Sequence, residues 1–146
     1  MNRVLNLRHY CLTVKSLENS IDFFKTFSPI YISEISQESG PLIDSLLKKN
    51  LIVRTIKIHF SKENRLELIE VGNLKKRASN IFRGFHHICF TVKNLKKTIE
   101  HIKKGGGKAI SKIIELKKNN TPNSKSALHC YIKDVDGNII QLAQDK

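Results

Sequence analysis

Two stretches of the chain carry the same order of apolar and polar positions. Residues 9–25 read HYCLTVKSLENSIDFFK and residues 87–103 read HICFTVKNLKKTIEHIK. His9/His87, Cys11/Cys89, Thr13/Thr91, Val14/Val92, Lys15/Lys93, Leu17/Leu95, Ile21/Ile99 and Lys25/Lys103 are identical. In the first copy Tyr10, Leu12 and Val14 alternate with His9, Cys11 and Thr13, the period of a strand. The apolar positions then change spacing, to Leu17, Ile21, Phe24 and Phe27 in one copy and Leu95, Ile99 and Ile102 in the other. That is the stripe of an amphipathic helix. Ser16 and Asn94 stand where an N-cap belongs, and Gly105-Gly106-Gly107 closes the second helix. A glycine loop that cradled phosphate would open a helix instead, so this triplet is not read as one.

Each helix is followed by β signals. They lie at residues 30–35, 53–60 and 65–71 in the first copy and at 108–115, 127–132 and 138–143 in the second, with Asp136-Gly137 as the last hairpin turn. The chain is thus expected to be one α+β domain, 1–146, built from tandem βαβββ modules. The first module covers 3–71 and the second 84–144. Residues 72–83 read as a polar linker and 117–126 as a mobile loop.

Composition narrows the function classes. Of 146 residues, 40% are hydrophobic and 27% charged, a globular balance. No apolar run is long enough to span a bilayer, and the N-terminus does not read as a signal peptide, so a cytoplasmic protein is expected. Three cysteines, Cys11, Cys89 and Cys130, without a C-x-x-C pair agree with reduced thiols. The formal charge is +13, but the lysines are spread along the whole chain in an Ile- and Asn-rich background. No stretch interleaves basic and aromatic side chains as a base-stacking platform would, so neither a nucleic-acid nor a membrane partner is expected.

The ends of the modules also correspond. Glu67 lies between Leu66 and Leu68, and Gln141 between Ile140 and Leu142, so both point away from the apolar face of their strands. If the copies pair about a pseudo-two-fold axis, His9, Glu67, His87 and Gln141 converge. Two imidazoles, a carboxylate and an amide oxygen suit a divalent Zn, Ni, Co, Mn or Fe ion with positions left open. Glu67 is the sole carboxylate of the set and hence the candidate general base. Cys11 and Cys89 share the strand face of the histidines and are candidate lining residues, although small buried fillers are the commoner role. Arg54, Lys57 and Arg65 are candidates to meet an anionic small-molecule substrate. His86 falls on the opposite face from His87, and His59, His101 and His129, which lack a counterpart in the other copy, read as ordinary.

These residues carry a resemblance. His9-x-x-Leu-x-Val with its helix, Leu66-Glu67-Leu68-Ile69-Glu70, the run GFHHICFTV at 84–92 and the run DVDGNIIQL at 134–142 resemble the vicinal oxygen chelate superfamily. That superfamily includes glyoxalase I, methylmalonyl-CoA epimerase, fosfomycin-resistance enzymes, extradiol dioxygenases and bleomycin-binding proteins. The resemblance implies modules forming an incomplete mixed β-barrel around a metal, and a homodimer. It implies a lyase or isomerase that acts on a thioester, hemithioacetal or 2-oxo acid by proton transfer through Glu67. Where most catalytic members have Glu, this chain has Gln141. That weakens two-base epimerisation, ranks a ring-cleaving dioxygenase lowest and keeps a metal-free, bleomycin-resistance-like binding protein as the alternative.

Overall fold

The computed structural model describes residues 8–46, 51–71, 86–117 and 126–146. The linker expected at 72–83 and most of the loop expected at 117–126 lie outside them. The chain divides into two compact units, Met1–Leu74 and Lys75–Lys146.

The first unit runs β1 (Tyr10–Val14), α1 (Leu17–Lys25), β2 (Tyr31–Ile32), β3 (Ser36–Glu38), α2 (Pro41–Leu46), β4 (Val53–His59) and β5 (Arg65–Glu70). The second runs β6 (Ile88–Thr91), α3 (Leu95–Lys104), β7 (Lys108–Ala109), β8 (Ile114–Lys117), β9 (Ser126–Lys133) and β10 (Ile139–Asp145). Each unit holds one five-stranded sheet of mixed direction. The orders are β1-β5-β4-β2 with β3 also on β4, and β6-β10-β9-β7 with β8 also on β9. The duplicated pattern thus gives two sheets of one topology in an α+β chain, and among the described residues neither sheet closes on itself.

Both helices begin as the sequence indicates. Ser16 Oγ accepts the Asn19 N–H at 3.3 Å and Asn94 Oδ1 accepts the Lys97 N–H at 3.0 Å. A second acceptor reaches each helix start from a strand. The Leu17 N–H donates to Glu70 Oε2 and the Leu95 N–H to Gln144 Oε1, each at 2.7 Å. These bonds satisfy amides that no helical carbonyl can reach. The helices bury Leu17, Ser20, Phe23 and Phe24 in one unit and Leu95, Ile99 and Ile102 in the other, against Leu12, Ile56, Ile58, Leu66 and Leu68 or Ile88, Ile132, Ile140 and Leu142. Phe23 is fully buried although the expected stripe passed over it for Phe27, which is only half-buried.

The structure departs from the expected elements in two places. The strand expected at 30–35 is cut to β2, with β3 beginning only after it, and the strand expected at 108–115 is broken into β7 and β8. At the breaks, Ser33 Oγ accepts the Lys57 N–H at 3.0 Å and Ser111 Oγ accepts the Tyr131 N–H at 2.8 Å. A serine hydroxyl takes the place of a ladder carbonyl, and the edge strand turns away. The short helix α2 was not anticipated. Its Ile43 packs with Val53, Ile69 and Val71, on the sheet face away from α1.

Candidate functional site

Strand register sets a row of side chains across the open face of each sheet. Cys11 lies opposite Glu67 on the parallel pair, and Glu67 lies opposite Lys57 on the antiparallel pair. In the second unit the row is Cys89, Gln141 and Tyr131. The histidine just before the first strand of each unit leans onto this row. His9 Nε2 is 3.2 Å from Glu67 Oε2, and His87 Nε2 is 3.0 Å from Gln141 Oε1. Each unit therefore brings together two of the four expected ligand residues, His9 with Glu67 and His87 with Gln141.

The surroundings of the two pairs differ. Lys57 Nζ lies 3.6 Å from Glu67 Oε1, so a cation stands beside the first pair. In the second unit the Tyr131 ring meets the His87 ring edge to face, with centroids 5.4 Å apart. His87 Nδ1 is 3.0 Å from His86 Nδ1, and Gln141 Nε2 is 3.0 Å from His129 Nδ1. His86, expected on the opposite face from His87, and His129, read as ordinary from sequence, thus bracket the second pair.

The other candidates are placed as follows. Burial first, then Glu67 and Glu38, push the Cys11 thiol up to about 11, and burial, then Asp145, raises Cys89. Both stay protonated near neutrality, which suits lining residues rather than nucleophiles. A cavity of about 360 Å³ opens beside Glu67, lined also by Cys11, Glu38, Ile43, Thr55 and Ile69. Arg54 is not part of this row. Its strand parity turns it to the α1 side, where it donates to Glu70 Oε1 at 2.9 Å and also pairs with Glu18. The Nε of Arg65 is buried without a hydrogen-bond partner among the described residues.

The donor chemistry can be tested against a metal ion. Adjacent ligand atoms bound to one ion at about 2.0–2.2 Å lie about 3 Å apart. Separations of 3.2 Å and 3.0 Å meet that spacing, so each pair fits as half of a ligand set. Among the described residues, no three His, Cys, Asp or Glu side chains of one unit gather as they would around an ion. Each unit supplies two donors.

Several residues at the site were legible only after register was known. Tyr131, His129, Glu38 and the serines at the strand breaks carry no motif. The spacing that relates His9 to His87 also relates Ser33 to Ser111, and this was the one available signal.

Comparison with known proteins gives a consistent picture. The model of the Glyoxalase/Bleomycin resistance protein/Dioxygenase superfamily matches residues 6–142. No curated protein sequence matches the chain significantly. Among solved structures, a glyoxalase family protein from Bacillus cereus aligns with TM-score 0.80 at 20% identity, covering 99% of this chain and 96% of that one. The fosfomycin resistance protein FosX from Mesorhizobium loti aligns with TM-score 0.62 at 16% identity, over 96% of this chain and 91% of that one. A glyoxalase I mutant from Zea mays gives TM-score 0.62 at 20% identity, over 94% of this chain but 44% of its own. At these identities the structures are similar to this chain in fold. No helix among the described residues is long and apolar enough to cross a membrane.

Proposed function

Because this chain belongs to the glyoxalase/bleomycin resistance protein/dioxygenase superfamily, we propose that it is a metal-dependent lyase or isomerase of the glyoxalase/epimerase type. Its ligands would be His9 and Glu67 from the first unit and His87 and Gln141 from the second. The observation that carries the proposal is the pair of matched histidine–oxygen contacts, at 3.2 Å and 3.0 Å. Unrelated surface histidines would not recur on the same strand row of both units with an oxygen donor at ligand spacing.

When bound, a divalent ion supplies Lewis acidity toward two adjacent oxygens of a thioester, hemithioacetal or 2-oxo acid. The chain supplies the rest. Glu67 is the one carboxylate of the set and takes the proton from the carbon beside those oxygens, then returns it. Lys57 holds the second carboxylate oxygen from 3.6 Å and restricts its rotation. Ile43 and Ile69 form an apolar wall beside Glu67, against which a substrate's carbon body can lie away from water.

The decisive experiment is metal analysis of the full chain, followed by proton exchange. We expect one divalent ion per chain, lost in both His9→Ala and His87→Ala. We also expect solvent deuterium to enter a hemithioacetal or thioester at the acidic carbon, with exchange lost in Glu67→Gln. A chain that takes up no Zn, Ni, Co, Mn or Fe and yet binds an apolar ligand tightly would instead be a small-molecule binding protein.

A further inference from the structure

Glutamate and glutamine present different problems to a site that needs an oxygen. The two carboxylate oxygens of Glu67 are equivalent, so either face of the group serves. The carboxamide of Gln141 has one accepting end and one donating end, and half of its orientations put an N–H where an oxygen is wanted. Something must choose between them.

The second unit contains a group that does so. Gln141 lies opposite Tyr131, and Ala143 lies opposite His129, so His129 is the diagonal neighbour of Gln141 on the same face of the sheet. A long side chain spans that diagonal. The Gln141 nitrogen lies 3.0 Å from His129 Nδ1, while its oxygen lies 3.0 Å from His87 Nε2. An amide nitrogen only donates, so with the amide in this orientation His129 Nδ1 is the acceptor and the ring proton falls on Nε2. That Nε2 is buried and has no hydrogen-bond partner among the described residues. An unsatisfied buried donor is an uncommon feature that calls for a reason. If the proton moved to Nδ1, it would donate to the Gln141 oxygen and turn the amide nitrogen toward His87. The first unit has Thr55 at the matching position, and its hydroxyl serves Glu38 at 2.8 Å instead of Glu67.

We propose that His129 is a positioning residue. Its Nδ1 holds the Gln141 carboxamide so that the oxygen faces His87, turning a glutamine into a one-sided oxygen donor. The inference rests on the reading of Gln141 as a ligand through its oxygen, but the orientation itself can be tested without metal.

The first readout is the tautomer of His129 in the metal-free full chain. Long-range 1H–15N correlation is recorded in mildly alkaline solution, where an ordinary imidazole is neutral. The proton is expected on Nε2, and finding it on Nδ1 overturns the proposal even if the chain binds metal. The second readout is Co²⁺ affinity, by titration followed in the visible spectrum. His129→Ala is expected to weaken Co²⁺ binding about 10-fold or more, the usual loss when a ligand's orienting partner is removed. His129→Asn, whose Oδ1 replaces the Nδ1 acceptor, should restore most of it. In a Gln141→Glu background, where both oxygens are alike, His129→Ala should cost less than about a third of that factor. An equal loss in both backgrounds would mean that His129 merely supports packing. A chain with the expected tautomer that binds no Co²⁺ would sink the metal proposal and leave the orientation in place.

Discussion

The two units share a skeleton and differ in charge. At four corresponding places the first unit has an ion and the second a neutral side chain: Glu67 and Gln141, Glu70 and Gln144, Lys57 and Tyr131, Arg54 and Leu128. The difference separates what the fold requires from what chemistry requires. At the helix start the fold needs an acceptor oxygen, and Glu70 and Gln144 meet the Leu17 and Leu95 amides at the same 2.7 Å. A charge there is dispensable, since a neutral amide oxygen satisfies the same N–H. Once it is present, however, it recruits Arg54, which reaches both Glu70 and Glu18. On the opposite face the proposed reaction needs a proton acceptor once. In that reading Glu67 supplies it, and Gln141 has only to offer its oxygen to the metal.

The largest test exchanges the acid and the amide. Glu67→Gln gives both units an amide and removes the proposed base and sole anionic ligand. Metal affinity should fall by more than the roughly 10–100-fold lost when an orienting partner is removed, and proton exchange by about 10²–10⁴-fold. Gln141→Glu should leave both within about 10-fold of the parent. Calorimetry and deuterium exchange read the two effects. If Gln141→Glu proves the damaging change, the asymmetry has been assigned the wrong way round.

The helix ends give a second comparison. Ser28 after α1 and Gly106 after α3 occupy the same place with positive φ, 53° and 86°. A Cβ at 106 would meet Val135 Cγ1 at 3.2 Å, and the conformation is costly for any L side chain. Gly106→Ser should therefore destabilise by about 1–2 kcal/mol. Ser28→Gly should stabilise by less, about 0–1 kcal/mol, because relief of strain is partly offset by a freer unfolded chain. Urea midpoints check both. A gain at 106 would show that the second helix end is not held as described.

Transplanting charge is a milder perturbation. Arg54→Leu copies Leu128 but leaves Glu70 Oε1 without its guanidinium, which should lower the urea midpoint slightly, since solvent screens the pair. Arg54→Leu with Glu70→Gln copies the second unit at this cross-strand pair and should recover most of the loss in urea unfolding. Failure to recover would mean that Arg54 contributes more than charge compensation.

Duplication is the reason the fold could be read from sequence. His9 and His87, Leu17 and Leu95, and Ser16 and Asn94 repeat at one spacing, and burial then forces both copies into one topology. Strand parity put His9, Glu67, His87 and Gln141 on the face away from the apolar side, and the adjacency of β1 to β5 and of β6 to β10 then made the pairs. Features set by pairing across strands were not legible. The role of His129 depends on Gln141 lying one diagonal away, and that of Arg54 on facing Glu70 across β4 and β5. The break at Ser33 depends on its hydroxyl reaching the Lys57 amide. Helix α2 was missed because its short apolar run has no strong period, and its Ile43 is held by a sheet face distant in sequence.

The smallest expected effect concerns the start of α1. Arg54, by its hydrogen bond, holds the Glu18 carboxyl down at about 2 from an ordinary 4.5. A carboxyl depressed in the folded state contributes stability that is present above its ordinary value and is lost as pH falls through the folded one. The window is therefore between about 4.5 and about 2. Glu18 is solvent-exposed, so water and salt screen most of the effect. The corresponding residue on α3 is Lys96, which cannot contribute in this range. Thermal midpoints of the parent and of Glu18→Gln should differ slightly above the window and converge as pH falls through it, and added salt should shrink the gap. Lys96→Gln should show no such convergence. A gap that persists unchanged to the acid end would place the contribution of Glu18 in its helix-start backbone contacts rather than in its charge, and the contrast between the two helix starts would then lose its electrostatic basis.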